Sequence, residues 1–481
     1  MKVAHMLWHG LLAFGLVVSL GACSSDGDDN PTTPGGGDTT GGDTTGGDTT
    51  GGDTTGDDAN TITMLMVAPL TGDASGSGEG IRNAARLALS EINYTVGDYT
   101  IEIVEIDSIS DTAGADSETP DIGAAYRAAM TENNAIAGFL NWHSGIALEL
   151  MEVAAEAQMA HLFGMGASGA INEKYKSDEK YEVWGAKGWP TPGTYVKSYF
   201  DAMACALEST CTDLDTSGAI WEPAHKNIMI VGESGAWGDS FAAGARGVAE
   251  DADGYWAQNG WVVALDMKVD ADMDASTLAA KADEAAAANV TMVVMTSTAD
   301  NAYEFIDQLR AKLDNPVIVT EGLGWANTPG ITAEGVMDGG WGPYNSDPAA
   351  ADRIAAFQTN YELEYGSAPS VSTSGFGYDY TNFAISILER ALEKSGEITR
   401  ESVLDIYKTE VQTGTLSYTG GVVMSEYKYT TETAPDPVYE LGKYYFPVFQ
   451  YQDTDSDGAL EYKIVYPANL AESSFELPGS N

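Results

Sequence analysis

From residue 61 onward, short apolar runs alternate with stretches of helical period. Residues 62–68 (ITMLMVA), 101–106, 135–140 and 161–165 read as strands, and 80–92, 122–130 and 146–157 as helices. The first helix places Ile81, Ala84, Ala85, Ala88 and Leu89 on one face, at spacings of three and four. A break rich in Gly, Trp and Pro follows at 185–193, and then the rhythm resumes. Helices are expected at 195–207, 240–256, 277–288 and 302–313, and strands at 227–231, 261–269, 291–295 and 317–320. Three more helical windows (349–365, 377–392 and 401–409) lead into sequence that reads as β-rich to the end. Strands that alternate with helices predict βαβ units, with mostly parallel sheets covered on both faces. Two consecutive sets of such units predict an α/β fold of two lobes.

The first 60 residues break this pattern. An apolar run at 11–20 (LLAFGLVVSL), preceded by Lys2, is too short to span a bilayer and reads as a signal peptide. It ends in Leu20-Gly21-Ala22-Cys23, which resembles the lipobox of bacterial lipoproteins. That resemblance implies that Cys23 is acylated and becomes the mature N-terminus, and two or three acyl chains hold a protein firmly at a membrane face. Residues 36–55 are four copies of Gly-Gly-Asp-Thr-Thr, with no apolar side chain to offset the entropy of ordering. As a flexible coil, the 37 residues from 24 to 60 reach roughly 30–36 Å.

Composition narrows the partners. Nine of the 72 acids lie in the linker and one of the 23 bases in the leader. The remaining body therefore holds 63 acids against 22 bases, a net of −41. Such a surface argues against nucleic acid and anionic lipid. Cys205 and Cys211, separated by five residues, are expected to form a local disulfide in an exported protein.

In open parallel sheets, ligands sit at the carboxyl ends of strands, where loops and helix N-termini present unpaired N–H groups. The strand ends here read Thr71 to Gly80 (a flexible Gly/Ser loop), Asn141-Trp142-His143-Ser144, Gly166-Ala167-Ser168, Gly232-Glu233-Ser234-Gly235-Ala236-Trp237, Thr296-Ser297-Thr298 and Thr320-Glu321-Gly322. Ser144 is placed to cap the helix that follows it. The strand ends offer hydroxyls, open backbone, indoles and carboxylate, and contain no Lys or Arg. That inventory suits a small polar ligand with a cationic group and a hydrogen-bonded anionic one. Trp189, Trp325 and Trp341 are further cleft candidates. Near the end, Asp453, Asp455 and Asp457 alternate before Gly458 as in a calcium loop, although Ile464 stands where an EF-hand has glutamate. A structural calcium ion and a bare hairpin turn both fit, and no other cofactor is expected.

From Thr61 to about Pro467 the chain resembles the type 1 periplasmic binding proteins of ABC transporters, in particular the receptors for branched-chain amino acids. The Ala68-Pro69-Leu70-Thr71-Gly72 opening, the helix running to Glu91-Ile92-Asn93 and the strand at 101–107 carry the likeness. It implies a ligand α-carboxylate held by Trp142, His143 or Ser144 and by Gly166, Ala167 and Ser168, with the ammonium taken by Glu321 and further contacts from Trp237 and Thr298. Trp142-His143 replaces the small hydroxyl pair usual in that family, which shifts the carboxylate to backbone N–H groups and Ser144. The implied division is 1–23 signal peptide, 24–60 linker, 61–185 and 343–443 first lobe, 186–342 second lobe, and 444–481 returning to the second. The expected partners are a small amino acid or amide and a membrane permease. A sensing receptor on the same fold, for an amide, urea or aromatic amino acid, shares these features. An exported amidase or esterase is the rival class. The chain has no Gly-x-Ser-x-Gly or His-Glu-x-x-His, and only His143, His161 and His225 follow the leader.

Overall fold

The computed structural model describes residues 60–72, 74–109, 121–184, 187–296, 301–321, 333–340, 342, 344–438, 446–454 and 458–477. Residues Asp57–Asn481 form one compact unit. The first lobe contains β1 (Thr61–Ala68), α1 (Ser75–Glu91), β2 (Thr95–Val96), β3 (Tyr99–Asp107), α2 (Ile122–Glu132), β4 (Ala137–Phe139), α3 (Ser144–Ala157), β5 (His161–Leu162) and α4 (Gly169–Ser177). Its sheet runs β2-β3-β1-β4-β5, and only the β2–β3 pair is antiparallel. The second lobe contains α5 (Pro192–Ala206), β6 (Asn227–Gly232), α6 (Ala236–Ala249), α7 (Tyr255–Gln258), β7 (Val262–Lys268), α8 (Ala275–Ala287), β8 (Met292–Thr296), α9 (Ala302–Lys312), β9 (Val317–Glu321) and β10 (Met337–Gly339). Then come α10 (Ala351–Tyr365), α11 (Phe376–Ser395) and α12 (Arg400–Ile406), and last β11 (Val448–Gln452) and β12 (Glu461–Tyr466). The second sheet runs β12-β11-β10-β9-β8-β6-β7, so the end of the chain adds two antiparallel strands to a parallel sheet.

The two-residue period of a strand explains why both faces are covered. In β1, Ile62, Met64 and Met66 join a core with Ile81 and Leu87 of α1 and Phe376 and Ile387 of α11. Leu65 and Val67 point the other way, toward Tyr126 of α2 and Leu150 of α3. The second sheet repeats the arrangement. Ile228 and Ile230 pack with Val196, Phe200 and Phe241, and Met229 and Val231 with Leu278 and Phe305. Thus α10 to α12 return to the core of the first sheet, while β11 and β12 complete the second.

Several elements depart from the sequence reading. The Gly/Ser segment expected as a flexible loop is helical from Ser75. Two of its glycines mark close packing: a Cβ on Gly78 would lie 1.8 Å from the carbonyl oxygen of Pro69, and one on Gly80 2.7 Å from Thr373 Oγ1. Gly78→Ala should therefore cost about 1–3 kcal/mol in urea unfolding; an unchanged midpoint would contradict this packing. The expected helix at 240–256 is instead α6, begun at Ala236, and the single turn α7, separated at Glu250–Gly254. The segment after residue 411 is not β-rich. Apart from a bridge between Tyr418 and Tyr427, its described residues form no strand before β11. Tyr427 and Tyr429 instead bury their rings in the first core. Helix α4 and strand β10 were not anticipated. Cys205, in the last turn of α5, forms the expected disulfide with Cys211. Its short loop predicts a loss of about 2 kcal/mol on reduction, measurable by unfolding with and without a reductant.

Candidate functional site

The loop after β4 is held by its own side chains. Leu140 adopts a left-handed conformation (φ 61°), and the Asn141 amide donates to the His143 carbonyl at 3.0 Å. This fixes Trp142 and His143 ahead of α3. Ser144 is the first residue of α3 and not its cap; His143 occupies the cap position without a side-chain cap bond. The Ser144 hydroxyl instead accepts from Ser168 N–H at 3.2 Å, joining the two strand-end loops. Gly166 is small because α3 is close: a Cβ there would lie 3.3 Å from Ala147 Cβ. The Ser168 hydroxyl caps α4 by accepting from Ala170 N–H.

Beneath this loop lies Lys187, whose side chain is fully buried. Its ammonium donates to the carbonyls of Ala167 at 3.1 Å and Ser168 at 3.5 Å and to Asn172 Oδ1 at 2.6 Å, and pairs with Asp436 at 3.0 Å. Burial pushes the Lys187 pKa down, and Asp436 opposes that shift. Across the cleft, the Ser240 hydroxyl of α6 accepts from Gly169 N–H at 2.8 Å, so the two lobes meet at this rim.

In the second lobe, Glu233 follows β6 directly, and the next residue is fixed by Asp270, which accepts from Ser234 N–H and Oγ–H at 2.6 and 2.8 Å. Trp237 packs on the cores of both lobes, and its indole N–H donates to Thr296 Oγ1 at 3.0 Å. The Thr296 hydroxyl in turn reaches the Glu321 carbonyl at 3.0 Å and carboxyl at 3.3 Å. Glu321 is only 3 % exposed. Burial, and then the negative charges of Asp338 and Glu233, push its carboxyl well above the usual range against the opposing Thr296 hydrogen bond. Asp338 itself accepts from Thr320 at 2.9 Å and Tyr462 at 3.1 Å.

These elements enclose a pocket with about 410 Å³ of empty space, part of it open to solvent. Trp142, His143, Ser144, Ala167, Trp189 and Trp237, all singled out from the sequence, line it together with Met165 and Glu233. Gly166 and Ser168 lie in the loop beneath. Glu321 is outside this wall and sits behind Trp237 and Thr296. Thr298, Trp325, Trp341, Asp455, Asp457 and Cys23 lie outside the described residues, while Asp453 accepts from Gly458 N–H at 3.1 Å. Among the described residues, no group of three His, Cys, Asp or Glu could hold a metal ion.

Glu233, Lys187 and Ser240 were not chosen from the sequence. Glu233 stands in the strand-end inventory just as Glu321 does, and only the resemblance favoured Glu321. Lys187 carries no such signal, since it lies in the break at 185–193 and reaches the site from below. His161, considered for an enzyme, is fully buried between the Tyr126 hydroxyl at 2.9 Å and the Leu140 carbonyl at 2.5 Å. Burial lowers its pKa to about 4, which favours the neutral ring.

Several solved structures are similar to this chain in fold. An ABC transporter substrate-binding protein from Desulfitobacterium hafniense in complex with Leu shares 16 % identity over 84 % of this chain and 99 % of its own, with a TM-score of 0.57. An extracellular ligand-binding receptor from Rhodopseudomonas palustris shares 16 % over 84 % and 99 %, at 0.60. A solute-binding protein of an ABC transporter from Rhodopseudomonas palustris, in complex with 3,4-dihydroxybenzoic acid, shares 16 % over 88 % and 100 %, at 0.58. No curated protein matches the chain. Residues 61–433 match the model of the periplasmic binding proteins, a family that works outside the cytoplasm. Matched over that span and folded as two sheet-and-helix lobes that both line the Trp142–Trp237 pocket, the chain belongs to the periplasmic binding protein family.

Proposed function

We propose that this chain is the solute-binding lipoprotein of an ABC importer and captures a small zwitterion, a branched-chain or related amino acid, by closure of its lobes. One observation carries this reading: the pocket has two ends of opposite character. At the first-lobe end, Lys187 draws on the carbonyls of Ala167 and Ser168, which share peptide units with the N–H groups of Ser168 and Gly169. The Ser168 N–H donates to Ser144, which lines the pocket, leaving that hydroxyl its own proton to donate to a carboxylate. At the second-lobe end stand Glu233 and, behind it, Glu321. A ligand ammonium there supplies the positive charge that favours the ionised form of Glu321 and offsets the charge of Glu233 beside it. Neither lobe alone holds both ends, so ligand shifts the population toward closure. The lipid on Cys23 and the 24–60 linker tether the receptor near its permease.

Among related folds, one binds leucine and another a dihydroxybenzoate. The carboxylates of the second-lobe end favour the first kind of ligand over an aromatic acid. A thermal-shift and calorimetric screen of the purified protein against amino acids tests the proposal. One ligand should bind with 1:1 stoichiometry, give no product, and at a hundredfold excess over Kd stabilise the fold by about 2.7 kcal/mol. Ser144→Ala and Glu233→Gln should each weaken it at least tenfold. A screen in which no amino acid raises the melting temperature refutes the reading. Replacing Cys23 by Ser should move the protein from the membrane to the soluble fraction of cells; retention in the membrane fraction would refute lipid tethering.

A further inference from the structure

The wall of the pocket is specific about the kind of cation it can accept. Three of its lining residues are tryptophans. Trp142 and Trp189 meet edge to face, 5.3 Å between centroids and 70° between planes, and so form two sides of a corner. Trp237 lies on the second-lobe side with Tyr195 nearly parallel to it (18°), and its N–H is engaged by Thr296. Met165 adds a soft apolar surface, and among the described residues Glu233 is the carboxylate of the wall and no Lys or Arg lines it.

A primary ammonium brings three N–H donors that need acceptors once water is excluded. Indoles provide none, because tryptophan is a donor only. Each buried donor left without a partner is costly. A fully methylated ammonium has no N–H to satisfy, spreads its charge over the methyl groups, and is attracted by aromatic faces. A carboxylate beside the rings completes the counter-charge without demanding a directed hydrogen bond.

Resting on the zwitterion reading above, we infer that the preferred ligand is a small carboxylate bearing a trimethylammonium group, its methylated head among Trp142, Trp189 and Trp237 beside Glu233 and its carboxylate toward Ser144. Calorimetric titration of the intact chain with glycine betaine, 3,3-dimethylbutanoate (the same shape with a neutral head), glycine and leucine tests this. Glycine betaine should bind at least tenfold more tightly than each of the other three. Trp237→Leu should remove at least tenfold of that affinity and Trp237→Phe should restore part of it. Equal binding of 3,3-dimethylbutanoate, or tighter binding of leucine, overturns the methylated head. Tighter binding of leucine would leave the zwitterion site itself intact. Failure of glycine betaine, glycine and leucine alike overturns both.

Discussion

Asp436→Ala should destabilise the protein by about 3–5 kcal/mol in urea unfolding, because it leaves the buried ammonium of Lys187 without its counter-charge. Asp436 also accepts from the Asn172 amide at 2.9 Å, so the carboxylate holds two partners together beneath the site loop. The double variant Lys187→Met/Asp436→Leu removes both charges and should recover much of the lost stability, as buried ion pairs replaced by apolar groups often do. Ligand affinity should stay at least tenfold weak in the double variant, because nothing then polarises the peptide units at 167–169. Recovery of both stability and affinity would show that Lys187 only fills space. Asp436→Ala with unchanged stability would show that the ion pair contributes nothing.

The second large effect is a pH dependence. Asp379 on α11 is fully buried and accepts from Val422 N–H at 2.7 Å, Val423 N–H at 2.9 Å and the Tyr427 hydroxyl. Burial raises its pKa from 3.8 to about 7, against the pull of these hydrogen bonds and of Arg353. Between those two values the folded state holds a proton that the unfolded state has released. Stability from this group is therefore present at about pH 4 and lost as pH rises toward 7. His161 works in the opposite direction. Its folded pKa of about 4 lies below the ordinary 6.5, so its contribution is lost as pH falls from 6.5 toward 4. The two partly cancel in the native protein, and the difference between native and Asp379→Asn isolates one of them. Relative to the native chain, the variant should gain roughly 3–5 kcal/mol between pH 4 and pH 8. A difference that stays flat across this range would mean that Asp379 is ionised throughout.

Much of the fold was legible because parallel strands buried on both faces write themselves as unbroken apolar runs. The run ITMLMVA became β1, buried after its first residue, and 317–320 became β9 with one residue added. The errors fall where a local signal was overridden by tertiary contact. Glycines at 78 and 80 look like flexibility, yet their small size admits Pro69 and Thr373 against a continuous helix. The tyrosines at 418, 427 and 429 carry strand propensity, but their rings are used to fill the first core. At the site, the strand-end rule found Trp142, His143, Ser144, Ala167 and Trp237, since it depends only on where strands stop. It could not rank Glu233 against Glu321, because which acid faces open space depends on how Trp237 and Thr296 lie between them. It could not find Lys187 at all. That residue donates to the carbonyls of another segment, a relation that exists only after folding.

The most direct test compares leucine with its two charge-deleted relatives, 4-methylpentanoate, which lacks the amine, and leucine methyl ester, which lacks the carboxylate. Titrated into the intact protein by calorimetry, the zwitterion should bind at least a hundredfold more tightly than either. Comparable affinity for 4-methylpentanoate would mean that the acids at 233 and 321 meet no cation, and the account of a two-ended cleft would be wrong.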